Sequence, residues 1–419
     1  AAQDQRFRVN GFATFGMSVA SEETAYNDVN DDPNFGRFSK IGVQMTFNID
    51  SQNSVVTQLV SRGQNSWDTS AEWAYFKHDF NNGFTGKVGR IRLPAFMLSE
   101  FLDVGYAVPW AKMPNESYDS LTPFANMEGV DLSYNTDIGD LSATVQFVYG
   151  RSASESYDLK GLVSLNGSLQ ADTWNAKVSV SSAEDITVIN PTIQDALGLY
   201  GSASSGIGGS FTSVGFTYDP GDMYFSTEVT SLKVDDTIVD QDSAHATIGY
   251  RFGRLMPTLT YGMVQSQDDE ERDLAVILAA TSNATTLATI TGAAAGYGVT
   301  GATTDITASN LAVIASFVES VTPNTGDTAF QVGVRAAAVD GAKQILGAAQ
   351  SLQAQQNTDS TRIGLGLRYD VSPGTALKFQ YDIIETNATA GLFDADTYVA
   401  AGTKPDATNI LTISIDTVF

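Results

Sequence analysis

The chain has no cysteine, so neither a disulfide framework nor a thiolate metal site is open to it. No run of about 18 apolar residues occurs, which excludes a membrane-spanning helix and leaves strands as the only way across a bilayer. Basic residues are scarce: Lys and Arg number 23 against 48 Asp and Glu, a formal net charge of -25. Binding nucleic acid needs a concentrated basic surface, so nucleic acid is excluded as a partner. Only two histidines are present, His78 and His245. Neither stands near a recognisable nucleophile turn, so both read as wall residues, and no catalytic residue is assigned. Asp28, Asn30 and Asp32 have the first spacing of a calcium loop, but Pro33 stands where glycine is needed and no glutamate falls at the twelfth position. No metal site and no cofactor is therefore expected.

Against these absences stand 22 Phe, 16 Tyr and 37 Gly in a chain that is 42% hydrophobic. The last eleven residues show how they are used. Leu411, Ile413, Ile415, Thr417 and Phe419 alternate with Thr412, Ser414 and Asp416, so a strand there is greasy on one face and wet on the other. The same alternation opens the chain, with Phe7, Val9, Gly11, Ala13, Phe15 and Met17 against Arg6, Arg8, Asn10, Phe12, Thr14 and Ser18. It returns at Ile41–Ile49, Val214–Tyr218, Ala246–Tyr250, Ile363–Tyr369 and Leu377–Ile383, where the apolar row often ends in Tyr or Phe beside a short turn.

Connections alternate in length. Tight turns fall at Asp50–Asn53, Asn81–Gly83, Ile138–Asp140, Ala171–Thr173, Asp219–Asp222, Phe252–Arg254 and Ser372–Thr375. Longer polar links lie between them, among them Leu93–Asn126, Arg151–Leu159, Glu184–Gly209, Lys233–Asp242, Gln267–Asp359 and Asn387–Ala407. Soluble all-β folds have no reason to put every long connection on one side. The pattern predicts an all-β fold: a closed transmembrane antiparallel β-barrel of about 16 strands, with residues 1–419 as a single domain. Within 267–359, Ala-rich stretches at Leu274–Ala280, Leu311–Val318 and Ala329–Gln353 have helical spacing, so this extracellular insertion is expected to be partly helical.

The polar rows carry Arg8, Lys40, Arg62, Arg90 and Arg92 from successive strands, which predicts a basic patch lining a water-filled lumen. Opposite it, residues 93–126 mix apolar anchors (Phe96, Leu98, Phe101, Leu102) with the acids Glu100, Asp103 and Glu116. A half-apolar loop of that length is expected to fold into the barrel, bury its apolar side on the wall and narrow the passage between carboxylates and guanidinium groups.

Arg-Phe-Arg-Val-Asn-Gly-Phe-Ala-Thr-Phe-Gly at the start, Val-Gly-Arg-Ile-Arg leading into the third loop, and Ile-Ser-Ile-Asp-Thr-Val-Phe at the end resemble the trimeric general diffusion porins of Gram-negative outer membranes. The resemblance implies sixteen strands, three barrels per assembly, and an inward third loop as the constriction. It matches Arg8, Lys40, Arg62, Arg90 and Arg92 to the basic wall, Glu100 and Asp103 to the acidic loop, and the small outward residues Gly11 and Ala13 to a subunit contact. Leu-Ser-Glu-Phe-Leu-Asp (Leu98–Asp103) stands where that family has Pro-Glu-Phe-Gly. The implied function is passive diffusion of small hydrophilic solutes and ions. The expected partners are the lipid bilayer, lipopolysaccharide and two further copies of the chain. The alternative is a substrate-selective porin whose inward arginines bind phosphate or carboxylates. A chain opening on Ala-Ala-Gln fits an exported product whose signal peptide is removed.

Overall fold

The computed structural model describes residues 6–23, 25–118, 125–154, 157–189, 206–235, 240–267, 359–386 and 407–419. Within them the alternating segments form sixteen strands: β1 (Phe7–Ala20), β2 (Lys40–Asn48), β3 (Asn53–Arg62), β4 (Thr69–Asp79), β5 (Phe84–Arg92), β6 (Asn126–Ile138), β7 (Leu141–Ala153), β8 (Tyr157–Gln170), β9 (Trp174–Val188), β10 (Ile207–Tyr218), β11 (Met223–Val234), β12 (Gln241–Tyr250), β13 (Leu255–Ser266), β14 (Ser360–Ser372), β15 (Thr375–Thr386) and β16 (Ala407–Val418). Each pairs antiparallel with its sequence neighbours, and β1 closes onto β16, so the sheet has no edge. The closing register sets Thr14 opposite Asp416 and Ser18 opposite Thr412.

The two faces separate as the alternation requires. Val214, Ile248 and Ile363 are 51%, 55% and 44% exposed, whereas their inward neighbours Ser213, Thr247 and Arg362 are buried. Large side chains are exposed in this way on every part of the wall, from Phe7 and Val9 to Ile415. A continuous apolar girdle is unstable in water and suits lipid. At the short-turn rim, aromatic rings meet in pairs: Phe84 with Tyr134 at 4.6 Å and Tyr250 with Phe252 at 4.8 Å between centroids. Amphipathic rings at that depth are placed for the lipid interface.

Closure is finished by the terminal residue. The Phe419 amide donates to the Gly11 carbonyl at 2.9 Å and the Gly11 amide to the Phe419 carbonyl at 2.7 Å. The Phe419 ring lies over Gly11, where a Cβ would collide with it, and Ala13 is buried. Gly11 therefore faces the chain's own terminal ring, which accounts for a small residue there without a second subunit.

One connection differs from expectation. Residues 151–159 read as a long polar link, yet β7 runs to Ala153 and β8 starts at Tyr157. The polar residues belong to paired strand ends, where Arg151 and Asp158 form an ion pair at 2.6 Å. The first long loop turns partly inward: Tyr26 and Val29 pack on Ala20, Ile384 and Ile410, the inner faces of β1, β15 and β16 at their outer ends. The Ala-rich insertion expected at 267–359 lies, except for its ends, outside the described residues.

Candidate functional site

From the end of β5 the chain turns into the barrel. Leu93, Ala95, Phe96 and Tyr118 join inward residues of β5–β11 (Ile91, Met127, Val148, Leu162, Phe211 and Val234 among them) in one buried apolar cluster. Burying several such side chains, at about 25 cal/mol per Å² removed from water, is the main force holding the loop inside.

The loop then crosses the lumen. The Met97 amide donates to Glu228 on β11 at 2.8 Å, and Met97 stands so close to Gly215 on β10 that a Cβ there would meet its side chain. Six residues later Asp103 is bonded to Arg62 of β3, nearly opposite β10 and β11 in the ring. From there the chain follows the wall back. Gly105 touches Thr14 of β1 and Asp416 of β16, Tyr106 and Val108 accept from Arg368 of β14, Trp110 donates to Thr247 and Thr260 on β12 and β13, and Glu116 reaches Arg362. The wall from β10 to β16 is thereby covered, and its inward Ser, Thr, Gln and charged side chains are mostly buried. From β2 to β9, inward Gln44, Thr46, Trp73, Tyr75, Lys77, Lys87, Gln146 and Lys177 stay half-exposed.

Asp103 is the first anchor. Its carboxylate accepts from Arg62 at 2.8 and 2.9 Å and from Arg92 at 2.7 Å, with the Lys40 ammonium at 3.6 Å. Glu72, displaced inward by a bulge in β4, takes the other side of Arg62 at 2.6 Å and stands 3.9 Å from Arg92. Burial alone would push the Asp103 carboxyl up; the charges of Lys40, Arg62 and Arg92 overcome it and hold it well below the usual carboxylate range.

The second anchor is Glu116, on the single helical turn α1 (Asn115–Tyr118). Arg362 donates to it at 2.6 and 3.2 Å and to Asp382 at 2.7 Å. Burial opposes ionisation of Glu116, but the Arg362 charge and its hydrogen bonds leave the carboxyl below its ordinary value. Gly262 on β13 is required by close approach, since a Cβ there would strike the Glu116 carboxylate. Between the anchors, Lys378 donates to the carbonyls of Gly105 at 2.5 Å and Trp110 at 3.0 Å while pairing with Asp416 at 3.0 Å.

Of the residues expected to form the site, Lys40, Arg62, Arg92 and Asp103 come together. They meet in direct ion pairs rather than across a gap. Arg90 does not join them: it pairs with Glu128 and donates to the Ala71 carbonyl, on the outward row of Val88 and Val130, because Gly89 and the Arg90–Glu128 register keep it there. Arg8 is exposed and inward near the short-turn end of β1, opposite Thr46 and away from the cluster. Glu116 meets Arg362 instead of the basic wall. Glu100 is exposed on the crossing segment, within electrostatic reach of Lys87, Lys177 and Tyr75. The sequence reading missed Glu72, because a β4 bulge is invisible to strict alternation, and passed over Lys87 and Lys177 although both stand in polar rows.

His245 sits in the covered half. Ser117 Oγ lies 3.0 Å from its Nδ1, and Trp110 and Tyr118 flank the ring at 5.9 and 5.7 Å between centroids. Nε2 has no partner among the described residues, and both Ser117 and His245 are buried. A serine activated by histidine needs a third group to orient the ring and a route for substrate. Among the described residues no group bonds Nε2 to orient this ring, and the pair is buried.

No protein-family model matches the chain, and no curated sequence does. Solved structures do match it over nearly its full length. Salmonella typhi OmpF in complex with daunomycin aligns with TM-score 0.54 and 10% identity over 99% of this chain and 97% of that one. An anion-selective porin from Comamonas acidovorans aligns with TM-score 0.53 and 11% identity over 99% of both chains. OmpT of Vibrio cholerae, an outer membrane protein in its trimer form, aligns with TM-score 0.51 and 11% identity over 99% of both. The fold is that of the sixteen-stranded porins. At such low identity the likeness extends to architecture alone, and the luminal network is described from this chain's own residues.

Proposed function

We propose that this chain is an outer-membrane porin, a passive channel for small hydrophilic solutes and ions, and not an enzyme. The observation that carries the reading is the third loop: it enters the barrel, crosses it and is pinned by Asp103 to Lys40, Arg62 and Arg92, while the inward polar wall from β2 to β9 keeps half-exposed side chains. A loop laid across a polar lumen narrows a passage and leaves it wet. The apolar girdle supplies the lipid-facing surface, and the outer rim would meet lipopolysaccharide. A homotrimer, and export with removal of a signal peptide, complete the reading; an outer-membrane neighbour of the same fold occurs in a trimer form. The alternative of anion binding through the expected arginines gains no support from Arg62 and Arg92, whose charges already face Asp103 and Glu72.

The test is conductance. Purified in detergent and added to a planar lipid bilayer, the chain is expected to give stable current steps that arrive in groups of three. A chain that stays soluble without detergent, or leaves the bilayer silent, overturns the reading.

A further inference from the structure

Resting on the porin reading, we infer that the open half of the lumen is an anion path, made by lysines on the β4–β9 wall together with Arg8 and not by the arginines near the loop. The chain's formal charge of -25 argues for the opposite preference, so the position of each charge decides.

Lys77 points inward from β4, between Ser54 of β3 and Lys87 of β5 in the hydrogen-bonded register. Among the described residues no carboxylate lies within ion-pair distance of it, and the same holds for Arg8. Lys177, inward on β9, donates to the Phe96 carbonyl at 2.7 Å and has no ion-pair partner among the described residues. Lys87 is matched by Asp131 at 2.9 Å. Glu100 of the third loop is exposed on this side; its charge is felt at Lys87 and Lys177, and that of Glu228 at Lys177 as well. Asp79 and Asp137 stand lower, where the short turns begin.

Between the crossing segment and the short turns, Lys77 and Lys177 are therefore inward cations without an ion-pair partner among the described residues. An exposed charge acts only weakly beyond about 8 Å at physiological salt. Lysine is a compact point charge with rotatable donors, suited to small hydrated anions without demanding one planar geometry. The class favoured is small inorganic anions and short carboxylates.

The experiment uses the full chain in a planar bilayer under a potassium chloride gradient, with chloride and potassium as the probes. The zero-current potential is expected to have the sign of chloride preference. In Lys77→Glu the chloride-to-potassium permeability ratio should fall by about threefold or more. Arg8→Glu, at an exposed site near the short-turn end, gives the second reading and should lower the ratio in the same direction. Potassium preference in the natural chain, or a ratio unmoved in both variants while single-channel current persists, overturns the anion path and leaves the porin reading standing. A silent bilayer removes both.

Discussion

Asp103→Ala is expected to release the crossing segment of the third loop. The substitution takes away the carboxylate that Arg62 and Arg92 share and that Lys40 approaches, and leaves three cations close together with Glu72 alone to balance them. Removing one member of a buried ion-pair network typically costs 3–5 kcal/mol, because the remaining charges stay desolvated; Glu72 places this case near the lower end, about 3 kcal/mol. At about 1.4 kcal/mol per factor of ten, the ratio of seated to released loop falls on the order of a hundredfold. Single-channel current should rise and become noisier. The pH dependence follows from the same group. A carboxyl held below its ordinary value stabilises the seated loop fully above the ordinary aspartate range, about pH 4, and loses that contribution only as pH falls through its lower folded value. The natural channel should therefore keep its current level down to about pH 4.

Gly105→Val should unseat the middle of the loop. A Cβ at Gly105 would fall on the Asp416 carboxylate and 2.6 Å from Thr14 Oγ. Asp416 is itself held by Lys378 at 3.0 Å and Thr14 at 2.6 Å, and Lys378 also donates to the Gly105 carbonyl. Nothing there can give way without breaking a buried polar contact. Overpacking a tight site costs about 1–3 kcal/mol, and the loss of these bonds adds to it. The expected outcome is a larger conductance together with tryptic cleavage after Lys112, a half-buried residue of the returning segment. Unchanged current and unchanged resistance to trypsin would show that Gly105 does not approach the wall as described.

The barrel was legible because strand alternation has a period of two, and lipid on one side with water on the other enforces it over ten or more residues. Leu411 to Asp416 and Phe7 to Ser18 therefore revealed their faces, and the short turns announced the strand order. The inward loop was legible for a different reason: Phe96, Leu98 and Leu102 cannot remain in outside water. What alternation could not convey was pairing between distant elements. Arg90 and Arg92 sit two residues apart at the end of β5, yet one pairs with Glu128 and the other with Asp103 of the loop. Glu116 is expected from sequence to face the early basic residues, and only the return of the loop along β16 to β12 brings it to Arg362. Gly105, Gly215 and Gly262 carry no sequence signal that separates them from the other glycines of a glycine-rich chain; their role is visible only where the loop backbone presses on the wall.

The absence of native cysteine makes a direct test of the loop's position clean. Glu100 is exposed on the crossing segment and has no ion-pair partner among the described residues, so Glu100→Cys should fold and insert as the natural chain does. Single-channel current through this variant, recorded before and after adding a bulky membrane-impermeant thiol reagent, measures whether residue 100 stands in the passage. A lasting drop in current on modification is the predicted result; complete modification with the current unchanged would contradict a loop that crosses the lumen.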